Sequence, residues 1–221
     1  MVKVYALIPR RNDVTIEKFH AHWRNVHAPL GKRITTIRRY VQSHVLRPAV
    51  SGLPTSIYEG VAEVWFDDLE TATSMGDDPD YSQYAGADEP NFIDQSKLMF
   101  LFCNETVTLP GPSLAADGEE VKALLLLNRT KPTTWLTEEV APRALALPRI
   151  QRLAFSVSDV ATQNDNPSFD TVVELSWRDL PTFDVAWSAP EADLLRDSLV
   201  SGIDVAHSAG MITDQTRVIW P

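Results

Sequence analysis

Residues 19–30, FHAHWRNVHAPL, hold three of the five histidines in the 221-residue chain. Histidine is the side chain whose ordinary pKa lies closest to neutral pH, so this stretch is suited to moving protons. On a helix, Trp23 and His27 lie four residues apart on one face, and that face continues an apolar stripe. We therefore expect His27 to point inward, where burial lowers its pKa and keeps it able to act as a base. A core histidine hydrogen-bonded to the backbone is the alternative.

His20 and His22, by contrast, are expected at the surface. His20 lies almost on the face of His27 but two turns earlier, where solvent would reach it, and His22 lies well round the helix. Zinc sites on helices commonly use histidines four residues apart. The spacings here are two, five and seven residues, so the sequence predicts no metal site.

The predicted second strand has one polar and one apolar face. Tyr40, Gln42 and His44 share a face, because successive strand residues point to opposite sides of a sheet. We expect this face to meet a ligand, with His44 as a second proton-transfer group. The opposite face, with Val41 and Val45, is expected to pack under the helices.

The predicted third strand carries a carboxylate between large apolar side chains. Val61, Glu63 and Trp65 share one face, and a carboxylate in such a place is either paired or functional. Glu63 is therefore a third candidate for catalysis. A structural hydrogen bond is the alternative, because Glu174 occupies the same place in a related segment. Tyr58, at the start of this strand, is a candidate hydrogen-bond donor.

An acidic segment with aromatic side chains completes the predicted pocket. Residues 77–92, DDPDYSQYAGADEPNF, carry Tyr81, Tyr84 and Phe92 and suit a flexible cover; a solvated second helix is the alternative. The predicted site therefore combines catalytic and substrate-binding residues from several segments. These are His27, His44 and Glu63 for catalysis, and Trp23, Tyr40, Tyr58, Trp65 and Tyr84 for binding the substrate.

Composition excludes several classes of partner. The formal net charge of −10 argues against nucleic acid and anionic membranes, because both attract clustered Lys and Arg. The single cysteine, Cys103, lies in an apolar run and is expected to be a buried thiol. No segment reaches the roughly 20 apolar residues of a membrane helix. We expect a soluble, cytoplasmic protein.

Similar segments recur in the same order in the two halves of the chain, which we interpret as a tandem duplication. The matched pairs are VKVYALI (2–8) with VKALLLL (121–127), RRYVQSHV (38–45) with IQRLAFSV (150–157), YEGVAEVWFDDL (58–69) with FDTVVELSWRDL (169–180), and DQSKLMF (94–100) with DQTRVIW (214–220). Residues 109–120 have the Pro, Gly and acidic character of a linker. The predicted domains are therefore 1–108 and 121–221.

Each half is predicted to fold in the order β-α-β-β-α-β. In the first half, this gives strands at 2–8, 38–46, 58–66 and 97–107. Helical regions are predicted after Thr15 and over 68–93, the second broken by GDDPD (76–80). This is the order of the ferredoxin-like fold, whose antiparallel sheet carries helices on one face and must cover the other. The predicted class is therefore α+β, with two tandem ferredoxin-like repeats that form one α+β barrel within the chain.

Four segments of the first half together resemble the EthD-like family of dimeric α+β barrels: FHAHWRNVHAPL, RRYVQSHV, YEGVAEVWFDDLE and FIDQSKLMFLFCNETV. The most specific part of the resemblance is Phe19, Trp23 and His27, followed by Ala-Pro-Leu. The resemblance implies small proteins, usually homodimers without a bound metal, often encoded near pathways that degrade ethers or aromatic compounds. Residues 121–221 are similar to a diverged copy that lacks the Trp and His signature, so the site is expected in the first half.

The leading functional hypothesis is a cofactor-independent lyase or isomerase, that is, a dehydratase, cyclase or isomerase. Histidine acid–base chemistry would act on a small hydrophobic carbonyl or aromatic metabolite. No nucleotide-binding or nucleophile-elbow motif occurs, so no cofactor is predicted. The alternative is a non-catalytic binding or accessory protein for a hydrophobic metabolite or a partner oxygenase. A haem- or oxygen-handling relative is a third hypothesis, and the chain is a candidate homodimer.

Overall fold

A computed structural model describes residues 1–111, 120–158 and 169–220 of the chain. These residues form two compact units. The first unit consists of residues 1–45, 57–103 and 215–220, and the second of the described residues within 46–56 and 104–214. The predicted linker overlaps a strand at its start, and residues 112–119 of it lie outside the described residues. The assignment of 1–108 and 121–221 as domains stays a prediction.

The first unit is built on an antiparallel sheet. Its strands are β1 (Val2–Ile8), β2 (Arg39–Arg47), β3 (Gly60–Phe66) and β4 (Met99–Pro110), joined by the last residues of β8 (Ala209–Ile219). The hydrogen-bonded order is β4-β1-β3-β2-β8. In this order the two central strands, β1 and β3, pair along their whole length, from Val2 with Phe66 to Ile8 with Gly60.

One long helical segment follows β1. It begins with α1 (Ile16–His22), where the side chain of Thr15 accepts a hydrogen bond from the Lys18 amide. A π-helical turn, Trp23–His27, separates it from α2 (Ala28–Gly31). Pro29 explains the wider turn, because proline has no N–H to bond the carbonyl four residues earlier and its ring clashes with that carbonyl.

The second helical region of this unit, predicted over 68–93 with a break at GDDPD (76–80), consists of several short pieces. They are α3 (Leu69–Thr73), a π-helical turn at Tyr81–Ala85, α4 (Gly86–Asp88), and short 3₁₀ turns at Met75–Asp77, Glu89–Asn91 and Gln95–Lys97. Asp68 caps α3 by accepting from the Thr71 amide. Pro79 and Pro90 account for two of the interruptions, because proline does not continue a helix.

The second unit repeats the strand pattern of the first. Its order is β8-β5-β7-β6-β4, with β5 (Val121–Leu127), β6 (Arg152–Ser158) and β7 (Thr171–Trp177). Its helices are α5 (Ala141–Leu145), which follows a π-helical turn at Leu136–Val140, then α6 (Leu180–Trp187) and α7 (Pro190–Ser201). The described α+β elements and antiparallel sheets confirm the predicted fold class. Closure of one barrel and an origin by duplication stay predictions.

Corresponding strands keep the same register in the two units, which an ion pair illustrates. Lys3 of β1 pairs with the carboxylate of Glu63 on β3 at 2.9 Å, and Lys122 of β5 lies 3.2 Å from Glu174 on β7. All four side chains are almost fully buried. Since the same pair occurs in a unit without the predicted site histidines, the structural interpretation of Glu63 gains support.

One of the matched segments is out of register in the structure. Asp94 precedes a short 3₁₀ turn and accepts from the Ser96 amide, and Asp204 does the same for the Ala206 amide in the second unit. Asp214, which the sequence pairs with Asp94, instead lies within β8 opposite Val121. The pairing of DQSKLMF with DQTRVIW is therefore wrong. The two segments are similar in sequence, but only the first contains the turn that precedes the last strand of its unit.

Each unit has its own apolar core. In the first unit the core lies between the helical segments and the sheet face formed by Val4, Ala62 and Val64. In the second unit it includes Leu125, Phe155 and the helix residues packed on them. Within the described ranges, no helix has both the length and the apolar character that crossing a bilayer requires.

Candidate functional site

A small cavity opens into the core of the first unit, between the helical segments and the sheet. Its volume is about 60 Å³, several times the roughly 10–15 Å³ that one water needs by the same kind of measure. Most of its wall is apolar, and a few polar groups converge on it. The wall residues used below are Trp23, His27, Tyr40, Tyr81 and Glu89, with Ala62 and Val64 of β3 forming the floor.

Trp23 is fully buried and packs its ring on the backbone of β3. A Cβ atom at Gly60 would overlap Cζ3 of this ring, so the absence of a side chain at residue 60 lets the indole lie flat against the strand. The indole nitrogen is buried and has no acceptor in hydrogen-bonding geometry. Trp23 therefore forms one wall of the cavity.

His27 lies on the cavity and is held from behind by a carboxylate. Its Nδ1 is 3.0 Å from Oδ2 of Asp88, and the side chain is buried. Burial lowers the pKa of His27, and Asp88 opposes that effect only in part. With Nδ1 donating to Asp88, Nε2 is the nitrogen that is free to accept a proton. The inward orientation expected for His27 agrees with the structure.

Asp88 receives hydrogen bonds from three side chains. His22 Nε2 lies 2.9 Å from its Oδ1, and Asn91 Nδ2 lies 3.0 Å from the same oxygen, in addition to the bond from His27. Burial acts to raise the pKa of Asp88, but these hydrogen bonds outweigh it and the pKa is lowered. His22 is therefore not the free surface residue that the sequence predicts, because Asp88 draws it onto the site.

A second titratable group faces the same cavity. Glu89 is buried, accepts from the Tyr81 hydroxyl at 2.9 Å and lies 3.3 Å from Gln95 Nε2. Burial raises the pKa of Glu89, while the hydrogen bonds from Tyr81 and Gln95 act in the opposite direction. Burial and the neighbouring Glu89 raise the pKa of Tyr81 as well. The cavity thus contains an imidazole with a lowered pKa, His27, and a carboxyl with a raised pKa, Glu89.

The face of β2 with Tyr40, Gln42 and His44 packs under the helical segment, whereas the sequence predicts the opposite face there. Gln42 Nε2 lies 2.9 Å from the backbone oxygen of Trp23 and 3.0 Å from the Tyr40 hydroxyl. His44 Nε2 lies 3.2 Å from Gln42 Oε1. The polar groups satisfy one another, which is why a polar face can lie in the core.

His20 is tied to the buried His44 and is not the free surface residue predicted. The two Nδ1 atoms lie 2.9 Å apart, and His20 is half-buried. Burial lowers the pKa of His20 to about 4 and that of His44 to about 2, and the nearby Arg24 acts in the same direction. Burial also raises the pKa of Tyr40 to about 12, against smaller opposing effects of Gln42 and the Trp23 indole.

The structure brings only part of the predicted site together. Trp23, His27 and Tyr40 line the cavity. His44 lies behind the Trp23 ring, with ring centroids 4.5 Å apart, and does not line it.

The other predicted residues lie elsewhere. Glu63 and Trp65 point to the opposite side of the sheet from Ala62 and Val64, as strand alternation requires, and both contact Lys3 there. Tyr58 is buried outside the cavity wall, and Tyr84 is exposed under the guanidinium of Arg33.

Asp88 and Glu89 are site residues that the sequence analysis missed, and Tyr81 was named only as part of a cover. They lie in an irregular segment, where helical periodicity gives no information on which side chains point inward. The signal available was the pair of adjacent acids before Pro90, facing a histidine-rich helix. A histidine that is expected to be buried needs a hydrogen-bond partner, and Asp88 of this pair provides it for His27.

The second unit lacks the same groups at the corresponding positions. Strand register places Leu153, Phe155 and Val157 where the first unit has Tyr40, Gln42 and His44, as the sequence comparison predicts. The π-helical turn that ends at His27 before Ala-Pro ends at Val140 before Ala-Pro in the second unit. Among the residues described, no group of three His, Cys, Asp or Glu side chains is arranged to hold a metal ion.

The family model of the EthD domain matches residues 11–96 of the chain, the segment that supplies all the polar side chains named above for the cavity wall. Among curated proteins, none matches the sequence.

Several solved structures share the fold over 98% of this chain. An anthrone oxidase-like protein aligns with a TM-score of 0.63 at 10% identity over 93% of its own chain. A candidate monooxygenase from Fusobacterium nucleatum subsp. nucleatum aligns at 0.58 with 8% identity over 91% of its chain. A candidate chlorite dismutase aligns at 0.55 with 9% identity over 95% of its chain. At these identities the likeness concerns the fold alone.

Proposed function

Since residues 11–96 of this chain form an EthD domain, we propose that the cavity of the first unit is an active site for proton transfer. The substrate is a small, largely apolar molecule with a carbonyl group. The reaction is removal of a proton from the carbon next to that carbonyl, followed by return of a proton elsewhere. This step is shared by isomerases, dehydratases and cyclases that work without a cofactor.

The observation that carries the proposal is the hydrogen bond between His27 and Asp88. It fixes the proton of the neutral ring on Nδ1 and leaves the lone pair of Nε2 available, in a side chain that lines the cavity. Asp88 also stabilises the imidazolium that forms when Nε2 takes up a proton, because the two charges are opposite and 3.0 Å apart. One positioned base of this kind contributes on the order of 10²–10⁴ to the rate.

Glu89 is the group best placed to return the proton. It lines the same cavity, and its raised pKa brings it nearer to the protonated form at neutral pH. Tyr81 holds one carboxyl oxygen in place through its hydroxyl. A base with a lowered pKa and an acid with a raised pKa facing one small space form the arrangement expected for proton transfer at neutral pH.

The apolar lining supports the class of substrate. Ala6, Ile8, Ile34 and Phe100 are among the wall residues, and no Lys or Arg side chain lines the cavity within the described ranges. A phosphorylated or strongly charged substrate would find no counter-ion there. A hydrophobic ketone would bury its hydrocarbon part against these side chains and present its oxygen to the few polar groups.

The direct test is exchange of carbon-bound hydrogen for deuterium. Purified full-length chain is incubated with 2-tetralone in D₂O, and deuterium at the carbons beside the carbonyl is followed by NMR. We expect the protein to accelerate exchange and His27→Ala to remove on the order of 10²–10⁴ of that acceleration. His207→Ala, which removes an exposed histidine of the second unit, is the matched control. Equal rates in the two variants would refute the proposal.

A comparison with and without oxygen separates the remaining hypotheses. If the carbanion formed by His27 reacts with O₂, a product that contains added oxygen will appear only in air. Two proteins with this fold are named as a candidate monooxygenase and as anthrone oxidase-like, which is why this outcome is tested. If the ligand binds but no exchange occurs, the chain is a binding or accessory protein. Lyase and isomerase chemistry gives exchange and product in both atmospheres.

A further inference from the structure

The hydroxyl of Tyr40 lines the cavity, but its oxygen already accepts a hydrogen bond. The side-chain amide of Gln42 places Nε2 3.0 Å from Tyr40 Oη and 2.9 Å from the backbone oxygen of Trp23. A backbone carbonyl oxygen only accepts hydrogen bonds, so the amide atom that faces it is the NH₂ nitrogen and not the oxygen. The same NH₂ group therefore donates to Tyr40.

Two histidines extend this series of hydrogen bonds, and their tautomers follow from the orientation of Gln42. With the NH₂ group of Gln42 turned toward Trp23, Gln42 Oε1 faces His44 Nε2 at 3.2 Å, so His44 carries its proton on Nε2. The neutral His44 ring then has an unprotonated Nδ1, which accepts from Nδ1–H of His20 at 2.9 Å. Every hydrogen bond from His20 to Tyr40 thus points the same way.

The Tyr40 hydrogen is left for the cavity. Within the part of the chain that the structure describes, Tyr40 donates to no protein group, although the side chain is 4% exposed. The neighbouring Trp23 indole cannot accept, since indole N–H is a donor only, and this N–H also has no acceptor in hydrogen-bonding geometry. The Tyr40 hydroxyl is therefore a buried donor beside the cavity, and the described residues provide no acceptor for it.

We propose that Tyr40 donates its hydroxyl hydrogen to the carbonyl oxygen of the ligand, and that Gln42 and His44 are positioning residues that hold it in this role. This inference rests on the proposed function for the presence of a ligand. It adds that the carbonyl oxygen of the ligand is bound by the hydroxyl of Tyr40. As the carbon beside the carbonyl loses its proton, negative charge grows on that oxygen, and a donor fixed in advance stabilises it. In the second unit, the positions of Tyr40, Gln42 and His44 are occupied by Leu153, Phe155 and Val157, which cannot form these side-chain hydrogen bonds.

The direction of the hydrogen bonds from His20 to Tyr40 is tested first, without any ligand. In the ¹⁵N-labelled full-length chain, two-bond ¹H–¹⁵N spectra distinguish protonated from unprotonated ring nitrogens, and His20→Gln and His44→Gln assign the signals. We expect His44 with its proton on Nε2 and His20 with its proton on Nδ1. A proton on Nδ1 of His44 would overturn the proposal.

The donor role is tested with two probes that differ by one oxygen, acetophenone and ethylbenzene. NMR titration gives the ratio of their dissociation constants, ethylbenzene over acetophenone, for the wild-type chain and each variant. Tyr40→Phe is expected to lower this ratio roughly three- to tenfold, the worth of one neutral hydrogen bond. Tyr84→Phe removes a hydroxyl outside the cavity and should leave the ratio within about twofold.

The positioning role has its own readout. His44→Leu is expected to lower the ratio part of the way, and His44→Gln to restore it, because a glutamine amide can again donate to Gln42. An unchanged ratio in Tyr40→Phe, or no binding of either probe in the cavity, would overturn the inference. The deuterium-exchange test of His27 is separate from these binding ratios, so a result that removes His27 from proton transfer refutes the proposed function while this inference stands.

Discussion

The Trp23 ring lies on the backbone of Gly60, at a distance that leaves no room for a Cβ atom. This contact joins the helical segment that carries His27 to the sheet under the cavity. Gly60 is thus required for close approach rather than for an unusual backbone angle, since it has no positive φ.

Gly60→Ala is accordingly expected to destabilise the chain and to displace Trp23. Overpacking of this kind typically costs about 1–3 kcal/mol in the free energy of unfolding, measured by urea denaturation and accompanied by a change in tryptophan fluorescence. Gly76→Ala is the matched control, because a Cβ there would meet nothing within 4 Å. Equal stability of the two variants would contradict this description of the contact.

Stability is expected to fall as the pH falls from about 6.5 toward 4. The pKa of His20 is lowered to about 4 and that of His44 to about 2, whereas both side chains titrate near 6.5 in the unfolded chain. In this interval the unfolded state binds more protons, so acid favours unfolding, by up to about 1.4 kcal/mol per pH unit for each histidine. The double variant His20→Gln/His44→Gln should flatten the curve, and His207→Gln should not. A double variant with the wild-type slope would show that these histidines titrate normally.

Asp88→Asn is expected to show how much the orientation of His27 contributes to proton exchange, because the histidine itself is retained. Loss of the carboxylate lowers the pKa of His27 further, because Asp88 raises it in the native chain. It also releases the ring tautomer, so the acceleration of 2-tetralone exchange should drop by about 10² or more. NMR titration of His27 measures the first effect. Asp80→Asn, which alters an exposed ion pair with Arg33, is the control; a similar loss in that variant would remove the special role of Asp88.

The Lys3–Glu63 pair is expected to act in stability and not in catalysis. Removing one partner leaves a buried charge alone and should cost about 3–5 kcal/mol in the free energy of unfolding, whereas Lys3→Met/Glu63→Leu together should cost much less. The exposed pair Arg38–Asp67 should contribute far less to stability, because solvent screens it.

Denaturant unfolding of the single and double variants measures these values. If folded Glu63→Gln loses proton exchange, the catalytic role predicted for Glu63 from the sequence gains support over the structural one.

Strand positions and the inward face of the first helix follow from the sequence because both depend on simple periodicity. The alternation of Tyr40, Gln42 and His44 predicts that they share a face, and the register agrees. Alternation does not say which face a helix covers, and here the expected side was the wrong one. A polar set reaches the core only because its members bond to one another and to Trp23, and such mutual satisfaction cannot be inferred from residue types alone.

The acidic half of the site could not be predicted for a different reason. Asp88 and Glu89 lie where short turns succeed one another, and each side chain direction depends on local breaks such as Pro79 and Pro90. His22 illustrates the result, since the helical wheel places it away from His27 while Asp88 bonds both. Long-range contacts made by an irregular segment cannot be inferred from the sequence, because no periodic pattern shows which of its side chains point inward.

The final strand starts in one unit and finishes in the other: its first residues pair with β5, and its last ones belong to the unit that contains β2. A gene fragment ending at residue 108 would encode every residue of the cavity but would omit this border. The N–H and C=O groups along β2 would then be left as an open edge, which invites pairing with another copy. Such a truncated product is expected to aggregate or self-associate, which gel filtration would show.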